Sequence, residues 1–183
     1  MAKQEMKIVY LIQIVAYLIM AYGPTDATGF QIKFTNLECT TLNETVTTFE
    51  ECALKPTISG LMGLNVHAKV FQVLPDIKVD ASFYKKANGY KPFLFNTSVD
   101  FCEVMAKKTQ NIVSHIIFNI VKDYSNLNHT CPYDHDIHVE NLVLSEEKMK
   151  FLPLPSGEYL VSLFIGTRTG RVSGIKVYFT RKN

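Results

Sequence analysis

The chain lacks tryptophan and has no marked excess of either charge. Its 183 residues include 19 Lys and Arg against 17 Asp and Glu, a formal net charge of +2. A domain that binds nucleic acid through its phosphates has a strongly basic surface, so this balance argues against a nucleic-acid partner. Hydrophobic residues make up 47% and charged residues 20% of the sequence. This composition supports one folded domain with a packed core and excludes extensive disorder.

Motifs of the common enzyme classes are also missing. The chain has no Gly-x-Ser-x-Gly, no phosphate-binding loop, no His-Glu-x-x-His and no Gly-x-Gly-x-x-Gly. The segment closest to a metal site is 134–138, but on a strand His135 and His138 would point to opposite faces. We therefore predict a protein that is not an enzyme and has no catalytic residue, no metal site and no cofactor.

Only one hydrophobic run is long, Ile8–Ala21, and it follows two lysines. Its 14 residues fall short of the roughly 20 that a membrane-spanning helix needs, and a turn-rich segment follows. This pattern is typical of a signal peptide, which we place at residues 1–22. Cleavage near Ala27 and an uncleaved signal anchor are the alternatives. We expect a secreted, extracellular protein with no membrane span after cleavage.

Four cysteines follow this segment: Cys39, Cys52, Cys102 and Cys131. In an oxidising compartment an even number indicates disulfides, and four cysteines allow three pairings. The sequence does not choose among them, although local loop closure favours Cys39–Cys52 and Cys102–Cys131. A zinc site is the alternative, but the spacing contains no Cys-x-x-Cys pair.

Three Asn-x-Ser/Thr sequons begin at Asn43, Asn96 and Asn128, and none has proline in the middle. After a signal peptide such sequons predict glycosylation and therefore surface positions. We expect a glycoprotein.

Most of the chain shows the alternation of apolar and polar residues that is typical of half-buried strands. The alternation is clearest in Leu64–Val70 and Ile77–Phe83. Further strands are predicted at Phe30–Phe34, Phe93–Val99, Ile137–Leu144, Tyr159–Gly166 and Val172–Thr180, of which the last two form a hairpin. Seven or eight short strands separated by turns predict a mainly β fold, an antiparallel β-sandwich.

One segment, Glu103–Tyr124, differs from the rest. It contains neither glycine nor proline, and its apolar residues recur at intervals of three and four. This periodicity predicts one inserted amphipathic helix. The helix either simply packs on the sandwich or forms a wall of an apolar cavity.

Two sheets that separate at one end would leave an apolar pocket for a hydrophobic small molecule, that is, a lipid, a sterol or a hydrocarbon. The predicted ligand-binding residues are the inward positions of two strands and of the helix: Val66, Ala68, Val70, Val79, Ala81, Phe83, Ile116 and Ile120. Composition does not distinguish a hollow core from a filled one. The alternative is therefore an extracellular interaction protein with a filled core that acts on a receptor through its surface.

Several blocks of sequence resemble a known family. They are Phe34–Cys39, Cys52–Lys55, Tyr90–Asn96, Asp100–Cys102, Ser125–Tyr133 and Leu152–Tyr159. Together they resemble the large insect family of secreted proteins of unknown function that includes the CheB chemosensory proteins. That family is in turn similar to the ML lipid-recognition superfamily, which includes the ganglioside activator and the Niemann-Pick type C sterol carrier.

The resemblance implies an immunoglobulin-like β-sandwich, an ML-like lipid-binding domain over residues 30–181 with a cavity between the two sheets. It further implies a chemosensory role in which the protein presents a hydrophobic ligand such as a cuticular hydrocarbon pheromone. The helix between Cys102 and Cys131 departs from the simplest ML pattern. The resemblance supplies no catalytic residue.

Overall fold

The computed structural model describes residue 13 and residues 31–107, 111–149, 152 and 154–182. The predicted signal peptide, residues 1–22, lies outside the described residues except for residue 13. The described residues form a mainly β structure in which two antiparallel sheets face each other. The predicted fold class, a mainly β structure built as an antiparallel β-sandwich, is confirmed.

The described residues contain eight strands, and the chain passes four times from one sheet to the other. The strands are β1 (Gln31–Thr41), β2 (Thr47–Pro56), β3 (Met62–Val70), β4 (Lys78–Ala87), β5 (Gly89–Asp100), β6 (Ile137–Leu142), β7 (Gly157–Thr167) and β8 (Gly170–Lys182). The larger sheet has the order β1-β8-β7-β4-β5, and the smaller sheet has the order β2-β3-β6. Neighbouring strands in each sheet are antiparallel.

Two tight hairpins follow the turn signals in the sequence. Strands β4 and β5 are joined at Asn88, where Ala87 pairs with Gly89, whose φ of 81° suits glycine. Strands β7 and β8 pair from Gly157 and Arg181 to Thr167 and Gly170, as the predicted terminal hairpin requires.

Both disulfides have the pairing that local loop closure favours. Cys39 on β1 joins Cys52 on β2, with their Cα atoms 6.1 Å apart, and so links the edges of the two sheets. Cys102 joins Cys131, with their Cα atoms 5.4 Å apart. Closed loops of these lengths stabilise a fold by about 3 to 4 kcal/mol each when the loss of chain entropy in the unfolded state is counted.

The predicted single helix over Glu103–Tyr124 is wrong. The structure has a short helix α1 (Phe101–Met105), a longer helix α2 (Ile112–Val121) and a 3-10 turn (Lys122–Tyr124). Helix α2 begins at Asn111, whose side chain accepts hydrogen bonds from the backbone N–H groups of Val113 and Ser114. This N-cap starts a new helix after a polar stretch, residues 107–111, in which the apolar spacing of three and four is missing.

A third short helix, α3 (Glu146–Met149), lies between β6 and β7. None of the helices within the described residues is long and apolar enough to cross a membrane.

The core is divided into two clusters of buried side chains. The larger cluster contains Phe34, Phe83, Tyr159 and Phe179, together with Leu64 and other aliphatic residues. The smaller cluster contains Val46, Leu74, Ile77, Tyr133 and Val172. The sandwich is therefore not filled by one continuous packed layer, and the space between the two clusters is the candidate site.

Candidate ligand-binding cavity

A partly enclosed cavity of about 270 Å³ lies between the two sheets and extends beneath helices α1 and α2. We call residues 101–105 and 112–124 the roof. The smaller sheet contributes Thr47, Phe49, Leu64, Val66, Ala68, Val70, Ile137, Val139 and Leu142. The larger sheet contributes Val79, Ala81, Thr97, Val99, Leu163, Ile165, Val172, Ser173, Ile175 and Val177. The roof and adjoining loops contribute Leu74, Ile77, Phe101, Val104, Val113, Ser114, Ile117, Phe118, Val121 and Leu127.

The sizes of the inward side chains explain why the sandwich is hollow at one end only. At the aromatic end, Phe83 lies with its ring centroid between 5.3 and 6.1 Å from the rings of Phe93, Phe95, Tyr159 and Phe179. Rings at these distances fill the space between the sheets.

The inward positions nearer the roof carry small side chains. On β4 the inward sequence is Val79, Ala81 and then Phe83, and on β8 it is Ser173, Ile175, Val177 and then Phe179. Along β4 the aromatic residues begin at Phe83, which is level with Val177 through Val161 of β7, and along β8 they begin one inward position further on, at Phe179. Sheets that pack about 10 Å apart need larger side chains than alanine and serine to meet across the gap. The hollow end is a direct result of this pattern.

The roof is fastened at its far end by a charged residue from outside it. Lys148 on α3 donates to Asp123 at 2.9 Å, and its ammonium group lies 4.5 Å from the centre of the Tyr124 ring. The hydrogen bond to Lys148 lowers the pKa of the Asp123 carboxyl below its ordinary value of 3.8. The Asn111 cap and these contacts lie at the two ends of residues 112–124, the longer part of the roof.

The wall near Leu74 is held by a buried tyrosine. Leu74 and Tyr133 exchange two backbone hydrogen bonds of 2.7 and 3.0 Å, and the hydroxyl of Tyr133 donates to the backbone carbonyl of His129. Tyr133 is fully buried, and this burial raises the pKa of its hydroxyl above 10.0. The nearby Cys102–Cys131 disulfide joins the same segment to helix α1.

Five of the eight predicted ligand-binding residues line the cavity: Val66, Ala68, Val70, Val79 and Ala81. The other three do not, and their predicted placement is corrected. Phe83 has the predicted inward phase, but its ring is packed in the aromatic end. That the five lining residues bind a ligand stays a prediction.

Ile116 and Ile120 are the second correction, because the helix presents another face to the cavity. Val113, Ile117 and Val121 are four residues apart and line the cavity together. Ile116 and Ile120 precede two of them by one residue, a rotation of about 100° around the helix axis. Both are half-buried at the side of the roof.

Sequence reasoning missed the cavity residues of β2, β5, β7 and β8. On β7 and β8 the signal was available, since Leu163 and Ile165 alternate, as do Ser173, Ile175 and Val177. On β2 the signal is weak because the pairing with β3 shifts between Phe49 and Glu51, which changes the phase of the strand.

Polar groups in the cavity wall are few. Thr47 donates its hydroxyl to the backbone carbonyl of Lys69 at 2.7 Å and is satisfied. Ser114 on α2 is 7% exposed, and its Oγ finds no hydrogen-bond partner among the described residues. No lining residue that the structure describes is charged or is a histidine. Such a wall suits contact with an apolar molecule far better than proton transfer or ion binding.

One group of potential metal ligands occurs among the described residues, and it lies outside the cavity wall. Ligand atoms of Glu50, His67 and Asp136 are within 4.8 Å of one another. The two ring nitrogens of His67 face the carboxylates of Glu50 at 3.4 Å and Asp136 at 3.5 Å. These contacts between the His67 ring and two carboxylates account for the cluster without a metal ion. The absence of metal and cofactor stays a prediction.

The three sequons lie at differently exposed positions. Asn96 on β5 and Asn128 before β6 are exposed, whereas Asn43 is half-buried and accepts hydrogen bonds from the backbone and side chain of Thr45. Modification at these sites stays a prediction.

Residues 79–161 match the family described as a protein of unknown function (DUF1091). The matched residues run from β4 into β7 and include the roof. Comparison with curated proteins gives no significant match. Among solved structures, the chain is similar to chicken MD-1 complexed with lipid IVa, at 14% sequence identity over 84% of this chain and 98% of that chain, with a TM-score of 0.32. A likeness at this TM-score supports no inference about the ligand of this chain.

Proposed function

We propose that this chain is a secreted, non-enzymatic protein that binds a lipid or hydrocarbon in the cavity between its sheets. The observation that carries the proposal is the cavity itself, about 270 Å³ in volume and bounded almost entirely by aliphatic and aromatic side chains. Each methylene group that a ligand moves from water into such a wall contributes about 0.8 kcal/mol, before the cost of association is subtracted.

Secretion is supported by the two disulfides, which are stable in oxidising compartments, and by the predicted signal peptide. The narrower role, perception of a hydrocarbon pheromone in an insect, rests on the family resemblance alone. It is the physiological context that we propose for ligand binding.

The alternative of a filled core with a functional surface fits the structure less well. It requires the inward side chains of the two sheets to meet, and around Ala68, Ala81 and Ser173 they leave a cavity. A receptor that recognises the loaded protein is compatible with the proposal, since ligand binding and surface recognition use different residues.

A cavity-filling pair of variants tests the proposal. Ala81 is 2% exposed and lines the cavity, whereas Ala87 on the same strand is exposed. We expect Ala81→Leu to occupy ligand space and to weaken binding at least tenfold, and Ala87→Leu to bind as the wild type does. The measurement is the depletion of decane vapour above solutions of protein made by eukaryotic secretion, with native mass spectrometry to detect a copurifying ligand.

The two variants separate the possible outcomes. Saturable uptake of decane by the wild type and by Ala87→Leu, but not by Ala81→Leu, supports binding in the cavity. Absence of uptake by all three proteins, with no copurifying ligand, would refute the proposal. Equal uptake by all three would place binding elsewhere on the molecule.

A further inference from the structure

The polar side chains of the cavity wall limit which functional groups a bound ligand can have. Four lining residues have polar side chains, Thr47, Thr97, Ser114 and Ser173, and all four are uncharged hydroxyl residues. An ionised carboxylate or phosphate that left water for this wall would meet no cationic partner among the described lining residues. Burial of an unpaired charge is far more costly than burial of a neutral polar group. The wall therefore favours a neutral ligand.

Ser114 is the exceptional member of this set. It lies in the first turn of α2 beside the cavity, its side chain is buried, and its Oγ has less than 1 Å² of accessible surface and no hydrogen-bond partner in the part of the chain that the structure describes. A buried hydroxyl without a hydrogen bond destabilises a fold by about 1 to 3 kcal/mol, so native structures seldom leave one unpaired. Because Oγ is bonded to Cβ, rotation about the Cα–Cβ bond redirects the hydroxyl without moving the helix.

The volume of the cavity limits the size of the ligand. An apolar cavity of about 150 Å³ holds one benzene molecule, so in proportion a cavity of 270 Å³ holds about eleven non-hydrogen atoms. One short hydrocarbon chain with a small head fits this space. A sterol, with its fused rings and side chain, and a lipid with two long chains do not fit inside it.

We infer that the ligand is a neutral, single-chain molecule of medium length with one hydrogen-bonding group, such as an alcohol, aldehyde, ketone or ester, and that Ser114 is the residue that bonds to that group. This inference rests on the proposed function and narrows it from lipids and hydrocarbons in general to one chemical class. The chain lies among the aliphatic residues of the two sheets, and the oxygen of the ligand lies under helix α2.

A matched pair of ligands and a matched pair of variants test this assignment. 1-Nonanol and decane have the same number of non-hydrogen atoms, but only nonanol can bond to a hydroxyl. Vapour depletion measures the dissociation constant of each for the wild type, Ser114→Ala and Ser173→Ala. Ser173 is also a buried serine in the cavity wall, so Ser173→Ala controls for loss of a wall hydroxyl that is not the proposed partner.

We expect Ser114→Ala to weaken nonanol binding about fivefold, the effect of one neutral hydrogen bond, and to leave decane binding unchanged or slightly stronger. Ser173→Ala should leave the ratio of the two constants close to that of the wild type. Nonanoate at neutral pH, measured by calorimetry, should bind at least tenfold more weakly than nonanol. If Ser114→Ala does not fold, Ser114→Cys removes most of the hydrogen-bonding capacity at similar size.

The possible failures can be told apart. In one outcome the wild type binds decane and nonanol, and Ser114→Ala leaves both dissociation constants unchanged or changes them equally. This result would overturn the role of Ser114 and leave the proposed function intact. Tight one-to-one binding of a sterol would overturn the size limit. Absence of binding for every ligand would overturn the proposed function and this inference together.

Discussion

Asp136 is held by more contacts than an ordinary surface carboxylate. It accepts a hydrogen bond from the backbone N–H of Val70 at 2.9 Å, and it faces the ring of His67 at 3.5 Å. The hydrogen bond from Val70, followed by that from His67, lowers the pKa of Asp136 below its ordinary value of 3.8. Because Val70 lines the cavity, this carboxylate fastens the end of β3 where the wall begins.

The lowered pKa makes a prediction about acid stability. A carboxylate with a lower pKa in the folded protein stabilises the fold above its unfolded pKa, and this contribution is lost as the pH falls through the folded value. We expect Asp136→Asn to lower the thermal unfolding midpoint at neutral pH. The difference from the wild type should shrink as the pH falls below about 4, the unfolded pKa, and vanish once the pH is below the folded pKa. Thermal unfolding followed by circular dichroism across this pH range measures it.

The control is Asp134→Asn, which neutralises an exposed carboxylate two positions away. It should leave both the midpoint and its pH dependence nearly unchanged. A difference between Asp136→Asn and wild type that is constant from neutral to acidic pH would show that the charge of Asp136 contributes nothing to stability.

Among the helical elements, α2 depends on its first cap more than on its composition. Asn111 supplies two hydrogen bonds of 3.0 and 3.2 Å to the first turn, and residues 112–121 include several β-branched residues that favour helix only weakly. We expect Asn111→Ala to reduce the free energy of unfolding by about 1 kcal/mol. Urea unfolding measures this change.

Asn119→Ala is the matched control, since Asn119 is an exposed asparagine in the middle of the same helix. Alanine favours helix more than asparagine does at such a position, so this variant should be neutral or slightly stabilising. An equal loss of stability in both variants would mean that the cap has no special role.

The strands were largely predicted and the roof was not, for physical reasons. Alternation of apolar and polar residues reveals a strand when one face is the more buried, as on β4, where Ala81 and Phe83 are buried and Ser82 is half-buried. On β3 the sequence alternates even though Leu64, Asn65 and Val66 are all buried. Strand β2 escaped prediction because its shift after Phe49 and its half-buried residues on both faces remove the alternation. The break between α1 and α2 lies before the cap at Asn111, and the sequence did carry a signal for it, since no large apolar residue occurs between Met105 and Ile112.

At the scale of the whole molecule, the residues of the cavity walls were partly predictable, but the space between the two sheets was not. The inward phase of β3 and β4 follows from their sequences and correctly places Val66, Ala68, Val70, Val79 and Ala81 beside the cavity. Whether opposite walls meet depends on which residues of the two sheets face each other. Ala81 and Ser173 lie in one sheet and Ala68 in the other, and no local pattern indicates that these small residues converge on one cavity.

The same convergence makes the molecule sensitive to hydrostatic pressure. Unfolding floods an unoccupied cavity with solvent, so the unfolded chain takes up less total volume than the folded one, and compression favours it. We expect ligand-free wild type to unfold at lower pressure than Ala81→Leu, as followed by tyrosine emission in a pressure cell. Equal transition pressures would contradict an empty interior. A bound guest would act in the same direction as the added leucine, so the pressure at which the protein unfolds becomes a gauge of its loading.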